Sequence, residues 1–432
     1  MAELINELLD FIWESPVSCF AVKNIADMLA EAGFTRLDES EQWKIEEGRG
    51  YFTERSESSI IAFRIPKGEY KSVMLAAAHS DSPSFRIKPQ AEHTAENAYI
   101  KLDVEGYGGM IMSSWFDRPL SAAGRVMRKT KNGIKSELVN LDYDSMIIPG
   151  LAIHMERETN KGHSYNIQKE LIPLYGVLDK EKTEQGVFDK ALGDNIGYDM
   201  YLYNRMRGTV WGVNGELFSA PRIDNLEGAF AVTKAFTESG SDKSLAVMAV
   251  FDNEEVGSSS WQGAKSDFLE EVLKRVNDAL GYSPELLMRA KASGLMLSVD
   301  NAHAVHPNYL DKASPSNRPV INGGIVIKHN ANRRYTTDAV SEALFRTICG
   351  RADVPYTFFT NRSDMPGGST LGNLSNEQVS LNTVDIGLAQ LAMHSAYETA
   401  GTKDLSYMVK ALKEFYASHI EVKGDEIKIC KE

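Results

Sequence analysis

Leu245-Ala-Val-Met-Ala-Val-Phe251 runs without a break into Asp252-Asn-Glu254-Glu255-Val-Gly257. The apolar run has the length of a strand and is far too short to span a bilayer. It has no polar alternate position, so the strand it predicts is buried on both faces, as in a parallel sheet covered by helices. Acidic residues directly beyond its carboxyl end stand where such folds bind ligands. Two other runs repeat the pattern. Ser72 to Ala78 leads into His79-Ser-Asp81-Ser-Pro83, and Leu295 to Val299 leads into Asp300-Asn-Ala-His303-Ala-Val-His306-Pro307.

Helical spacing surrounds these strands. It covers residues 3–13 and 17–32, separated by Pro16 and closed by Gly33, and then 226–238, 267–280, 337–349 and 404–416. Ser59 to Ile65, Tyr356 to Phe359 and Gln378 to Val384 read as further strands. The alternation predicts an α/β protein with a mostly parallel sheet flanked by helices. From 91 to 213 the texture differs. Ala98 to Val104, Leu120 to Met127 and Glu137 to Leu141 read as antiparallel strands, and the first long helical pattern is Asp194 to Arg207. The expected organisation is a catalytic domain in two segments, 1–90 and 214–432, with a β-rich domain inserted at 91–213.

The 432 residues are 43% hydrophobic and 25% charged, enough to bury a sizeable core. There are 47 Lys plus Arg against 60 Asp plus Glu, a net charge of −13 with no basic run. Nucleic acid and anionic membrane are therefore not expected partners. The first residues mix Glu and Asp into their apolar positions, unlike a signal peptide. Cys19, Cys349 and Cys430 are too few for a disulfide framework or a cysteine zinc site, so a reducing cytoplasm is the expected location.

The chemistry-bearing residues collect at strand ends and helix starts: His79 and Asp81, Asp224 in Arg222-Ile-Asp224-Asn225, Glu254 and Glu255, Asp300, and His394 in Met393-His394-Ser395. Singly each has a plain reading. A histidine at a strand end is ordinarily a satisfied polar residue, and Glu-Glu a solvated loop. Their convergence on one sheet edge is the informative signal. Imidazoles and carboxylates without thiolates suit zinc or a related divalent ion. They exceed the needs of one tetrahedral ion and fit a pair of ions sharing a bridging carboxylate. Dinucleotide, P-loop and serine-hydrolase motifs are absent from the sequence.

These segments, in this order, resemble the aspartyl aminopeptidase family, a branch of the di-zinc exopeptidase clan. The resemblance covers nearly the whole chain and implies a zinc-exopeptidase-like fold, with the inserted domain serving dimerisation. It implies two divalent ions per subunit: Zn²⁺, with Co²⁺ or Mn²⁺ as substitutes. One ion is held by His79 and Asp300, the other by Glu255 and His394, and Asp224 bridges them. Glu254 is then the general base for a water held between the metals, and Asp81 hydrogen-bonds the second nitrogen of His79. His303 and Lys328 match substrate-contacting positions, and His154 matches a histidine that reaches the neighbouring subunit's site. The implied substrates are peptides with a free N-terminus, with Lys328 favouring Asp or Glu there. The implied assembly is a tetrahedral dodecamer built from dimers.

Three alternatives stay open at this point: a family member preferring neutral N-terminal residues, a di-metal carboxypeptidase or deacylase of the same clan, and a non-catalytic shell or cargo-binding protein.

Overall fold

The computed structural model describes residues 2–178, 186–368 and 370–431. Its centre is a nine-stranded sheet in the order Thr35–Arg36, Gly50–Arg55, Ser59–Arg64, Ser244–Phe251, Ser72–His79, Leu295–Val299, Asn382–Gly387, Ile325–His329, Tyr356–Thr360. The middle strands, Ser244–Phe251, Ser72–His79, Leu295–Val299 and Asn382–Gly387, pair in parallel, so their carboxyl ends open on one edge.

Burial on both faces follows from the apolar runs. In Ser72–His79 the side chains alternate between two cores. Met74, Ala76 and Ala78 pack with Ile5, Leu8, Ile223, Phe230 and Phe415 from helices on one face. Val73, Leu75 and Ala77 pack with Phe268, Val272 and Leu286 on the other. Each fully buried Leu, Val, Met or Phe contributes about 1.5–3 kcal/mol by leaving water. Every side chain of this strand is buried.

A second, antiparallel sheet is ordered Ile134–Asn140, Leu120–Lys129, Tyr198–Asn204, Ser84–Ala95, Tyr99–Tyr107, Leu174–Val177. It closes over its own core, with Phe85, Leu102, Trp115, Phe188 and Leu202 inside. A five-stranded sheet carries Ala302–His303, Ala389–Leu391 and Glu398–Gly401, and a hairpin, Ser418–Lys423 with Glu426–Lys431, follows the helix Asp404–Tyr416. Among the described residues, no helix is long and apolar enough to cross a membrane.

Two expectations need correction. The helix expected over Asp194 to Arg207 is instead the strand Tyr198–Asn204, paired antiparallel with Leu120–Lys129 from Tyr198 against Val126 to Asn204 against Leu120. Crowded apolar residues there satisfy either period. The aromatic content and the buried alternates Met200 and Leu202 decide for a strand. The strand expected over Gln378 to Val384 lies at Asn382–Gly387. Its signal was hidden by Asp385, which is fully buried and accepts hydrogen bonds from Thr336 and Thr370.

Candidate active site

His79 is the last residue of its strand and Asp300 follows the adjacent parallel strand, so the sheet brings an imidazole and a carboxylate together. Nε2 of His79 lies 3.5 Å from Oδ1 of Asp300 and 3.5 Å from Oδ1 of Asp224. Asp224 sits at the start of the helix Ile223–Thr237, where Asp224 and Asn225 leave helical geometry and are joined by a cis peptide. Its other oxygen, Oδ2, lies 3.4 Å from Nε2 of His394, which is itself 3.4 Å from Oε2 of Glu255. Asp224 therefore belongs to two groups of ligand atoms, one with His79 and Asp300 and one with Glu255 and His394. Glu254 and Glu255 also meet His79.

The surroundings fix these side chains. The Asp81 carboxylate accepts the backbone N–H of Glu254 on Oδ1 at 3.1 Å and that of Glu255 on Oδ2 at 3.1 Å. The Tyr107 hydroxyl donates to Oδ2 at 2.7 Å and accepts from Nδ2 of Asn253 at 2.9 Å. Nδ1 of His79 is closest to the Asp81 backbone carbonyl at 3.0 Å, with the carboxylate at 3.5 Å. Asp81 thus holds the Glu254–Glu255 turn more directly than it holds the imidazole. Asn253 and His394 adopt left-handed backbone conformations, the kind of local strain that functional sites store. Gly108 is required nearby, because a Cβ there would meet Cβ of Glu255 at 3.0 Å.

The cluster concentrates negative charge in a buried place. Burial opposes ionisation of Asp224, yet its contacts with His394 and His79 hold it well below the usual carboxylate range. Burial raises Glu254 to about 8, with Asp300, Asp81 and Asp224 adding to the rise against the pull of His79. Burial and then Asp224 raise Glu255 well above its ordinary value. His394 is lifted to about 10: burial works against its charge, but Asp224 and then Glu255 outweigh it. Several carboxylates sharing a buried site are relieved either by taking up protons or by cations among them. Oδ1 of Asp224 is buried with no hydrogen-bond partner among the described residues. An orphaned carboxylate oxygen among oxygen and nitrogen donors fits divalent metal ions, and zinc in particular.

The profile of the aminopeptidase I zinc metalloprotease family, M18, matches residues 11–416. The chain belongs to the M18 family of zinc metallo-aminopeptidases. A probable M18 family aminopeptidase 2 of Clostridium novyi is 42% identical over 423 residues, covering 95% of this chain and 98% of the relative. Among solved structures, an Ape4 determined in complex with Nbr1 superposes with a TM-score of 0.90 at 36% identity, covering 96% of this chain and 85% of that one. The S. cerevisiae mApe1 dodecamer gives 0.81 at 27% identity, with 95% of each chain covered. The expected zinc-exopeptidase-like α/β fold is thereby shown, and M18 membership removes the carboxypeptidase, deacylase and non-catalytic alternatives.

The remaining expected residues of this M18 aminopeptidase fall at different distances from the cluster. Lys328, 2% exposed, donates to Oδ2 of Asp300 at 3.2 Å and to the Asn301 carbonyl at 2.9 Å. His303 lies on the short strand Ala302–His303, its ring 5.9 Å from that of Phe359. His154 is exposed, outside any strand, and shares no hydrogen bond, ion pair or ring contact with the cluster among the described residues. Sequence reasoning missed Tyr107, which belongs to no motif. It also missed Glu398, buried, which accepts the backbone N–H of Asp224 at 3.0 Å and of His394 at 2.7 Å. The signal for Glu398 was available: it follows His394 by one short turn.

Proposed function

We propose that the chain removes single N-terminal residues from peptides using two divalent ions, with His79 and Asp300 holding one, Glu255 and His394 the other, and Asp224 between them. The observation that carries this is the position of Asp224, one oxygen facing each group. Ions bound there would polarise the scissile carbonyl and lower the pKa of a water. Glu254 supplies the proton transfers. It takes a proton from the attacking water and returns it to the leaving amine, work for which a carboxyl beside the metal-ligand group is placed. Asp81 aims Glu254 and Glu255 through their backbones. Lys328 orients Asp300 and keeps one N–H for substrate.

An acidic N-terminal residue is the preferred substrate in this reading. A cavity of about 310 Å³ beside His303 is lined by Lys312 and Arg362. Arg362 is engaged by Asp364, whereas Lys312 has no ion-pair partner among the described residues. Phe359, Met365 and Leu391 line the same cavity and favour the second reading, a neutral preference.

Assembly belongs to the same proposal: a tetrahedral dodecamer of dimers, working in the cytoplasm, with residues 91–213 as the dimerisation domain and His154 completing a neighbour's site. Support comes from the mApe1 dodecamer and from the loop around His154, where Leu151 is 67% and Met155 76% exposed, an apolar patch that suits a partner surface.

The test uses aminoacyl reporters of Asp, Glu, Leu, Lys and Ala, each with and without an N-acetyl cap, on enzyme as purified, after chelation, and after return of zinc. Activity should require the free amine, vanish on chelation and return with two zinc equivalents per chain. Full activity in protein shown to lack metal would refute the metal mechanism, and equal rates on Asp and Leu would refute the acidic preference.

A further inference from the structure

A second group of metal-ligating side chains lies far from the active site. His419 and Cys430 face each other across the hairpin Ser418–Lys423 and Glu426–Lys431, and Glu421 follows His419 by two residues. Cross-strand partners and alternate residues share a face, so all three project on the side opposite Ile420 and Ile429, which enter the core. One ligand atom from each lies within 4.8 Å of the others. The hairpin meets the start of the central strand whose far end is His79, through the Ile420 N–H donating to Oγ of Ser72 at 3.1 Å. The length of that strand separates the two clusters by roughly 20 Å.

The hydrogen bonding leaves this group unfinished. Nε2 of His419 lies 3.5 Å from Oε1 of Glu421, and Lys71 holds the same oxygen. Nδ1 of His419 is buried with no hydrogen-bond partner among the described residues, and His419 itself is 6% exposed. A buried imidazole with one nitrogen at the edge of ion-pair distance and the other unpartnered has coordination capacity that its protein neighbours do not fill. Cys430 is half-buried and in no disulfide, so its sulfur is available to a ligand. Lys71 fixes Glu421 through Oε1, and Oε2 has no partner among the described residues.

We propose that His419, Glu421 and Cys430 bind a zinc-like divalent cation, separate from the catalytic ions. Imidazole, thiolate and carboxylate together suit a borderline ion such as zinc or cobalt and disfavour calcium or magnesium. Binding forms a sulfur–metal bond and releases the Cys430 thiol proton to solvent. The ion would clamp the two strands of the hairpin beneath the central sheet.

Cobalt supplies the test, because the catalytic cluster contains no sulfur donor. Intact protein is stripped of metal and titrated with Co²⁺. The expected result is a near-ultraviolet thiolate-to-cobalt charge-transfer band whose final intensity corresponds to one thiolate-bound cobalt per chain and which is complete by three equivalents, the catalytic pair taking the other two. It should disappear in Cys430→Ser and in His419→Ala, while Cys430→Ser keeps its aminopeptidase activity after zinc return. In wild-type protein Zn²⁺ should also slow alkylation of Cys430 by iodoacetamide at least about tenfold, read on the C-terminal peptide by mass spectrometry. That measurement decides the matter if a variant fails to fold. Absence of the band in wild type, its persistence in Cys430→Ser, or zinc-independent alkylation would overturn the proposal.

Discussion

Oδ1 of Asp81 accepts the backbone N–H of Glu254 at 3.1 Å. A residue two positions beyond His79 thereby sets the aim of a turn 173 residues later in the chain. Because every partner of this carboxylate is a donor, an amide there would turn an NH₂ toward an N–H or hydroxyl. Asp81→Asn should lower kcat by at least about tenfold and weaken metal retention by about 10–100-fold, as loss of an outer support does. Kinetics and metal content after dialysis check both; unchanged values would show that the turn holds itself.

Glu254 and Glu255 are neighbours with different assignments. Glu254→Gln should keep its metal and lose at least about 10²-fold in kcat. Glu255→Gln should lose metal affinity. Parallel metal titrations of the two variants separate them, and equal metal loss in both would mean the roles are wrongly divided.

Lys328 and Lys312 should part company on substrate choice. Lys328 is committed to Asp300 and Asn301, so Lys328→Ala should depress cleavage of every reporter, and most strongly the acidic ones. Lys312 lines the cavity and forms no ion pair among the described residues, so Lys312→Ala should reduce kcat/KM for Asp and Glu by about tenfold, near 1.4 kcal/mol, and leave Leu unchanged. A uniform fall in the Lys312 variant would assign it a structural part.

His154 can be tested by complementation. His154→Ala and Glu254→Gln chains should each be nearly inactive. Dissociated, mixed and reassembled, they can rebuild a site that has both residues, and part of the wild-type rate should return. If mixed dimers form and stay inactive, His154 does not serve a neighbour.

Glu398 holds two proposed ligands by their backbones. Glu398→Ala strands two buried N–H groups, each costing about 1–3 kcal/mol. It should weaken zinc binding and be partly rescued by Glu398→Gln, which keeps one acceptor. Equal zinc affinity in Ala and Gln variants would reduce Glu398 to a general stability role.

The central sheet was legible because its apolar runs have the length of strands and end in polar turns, as Ser72 to Ala78 and Leu245 to Phe251 do. The residues that meet in the cluster were legible because polar chemistry stands at the ends of those runs. Tyr198–Asn204 was misread because tyrosines at close spacing serve either period until a pairing partner chooses. Tyr107 was invisible because its importance comes from a contact with Asp81, made by a strand of a different sheet. Lys328 was expected to face substrate alone, and its bond to Asp300 depends on which strands lie side by side.

Nδ1 of His394 sits 2.6 Å from the carbonyl of Gly109, 285 residues away in the chain. Ser82 reaches the Asp224 carbonyl at 2.6 Å across a further long separation. If His394 and Asp224 hold ions as proposed, the centre is complete only after the chain beyond His394 has been made. A fragment clipped before His394 would lack one of the proposed ligands and should be inactive on the aminoacyl reporters. With the proposed assignments, the two halves of the centre meet only when the last quarter of the described molecule has docked, so the same long-range contacts that fix the fold also complete the site.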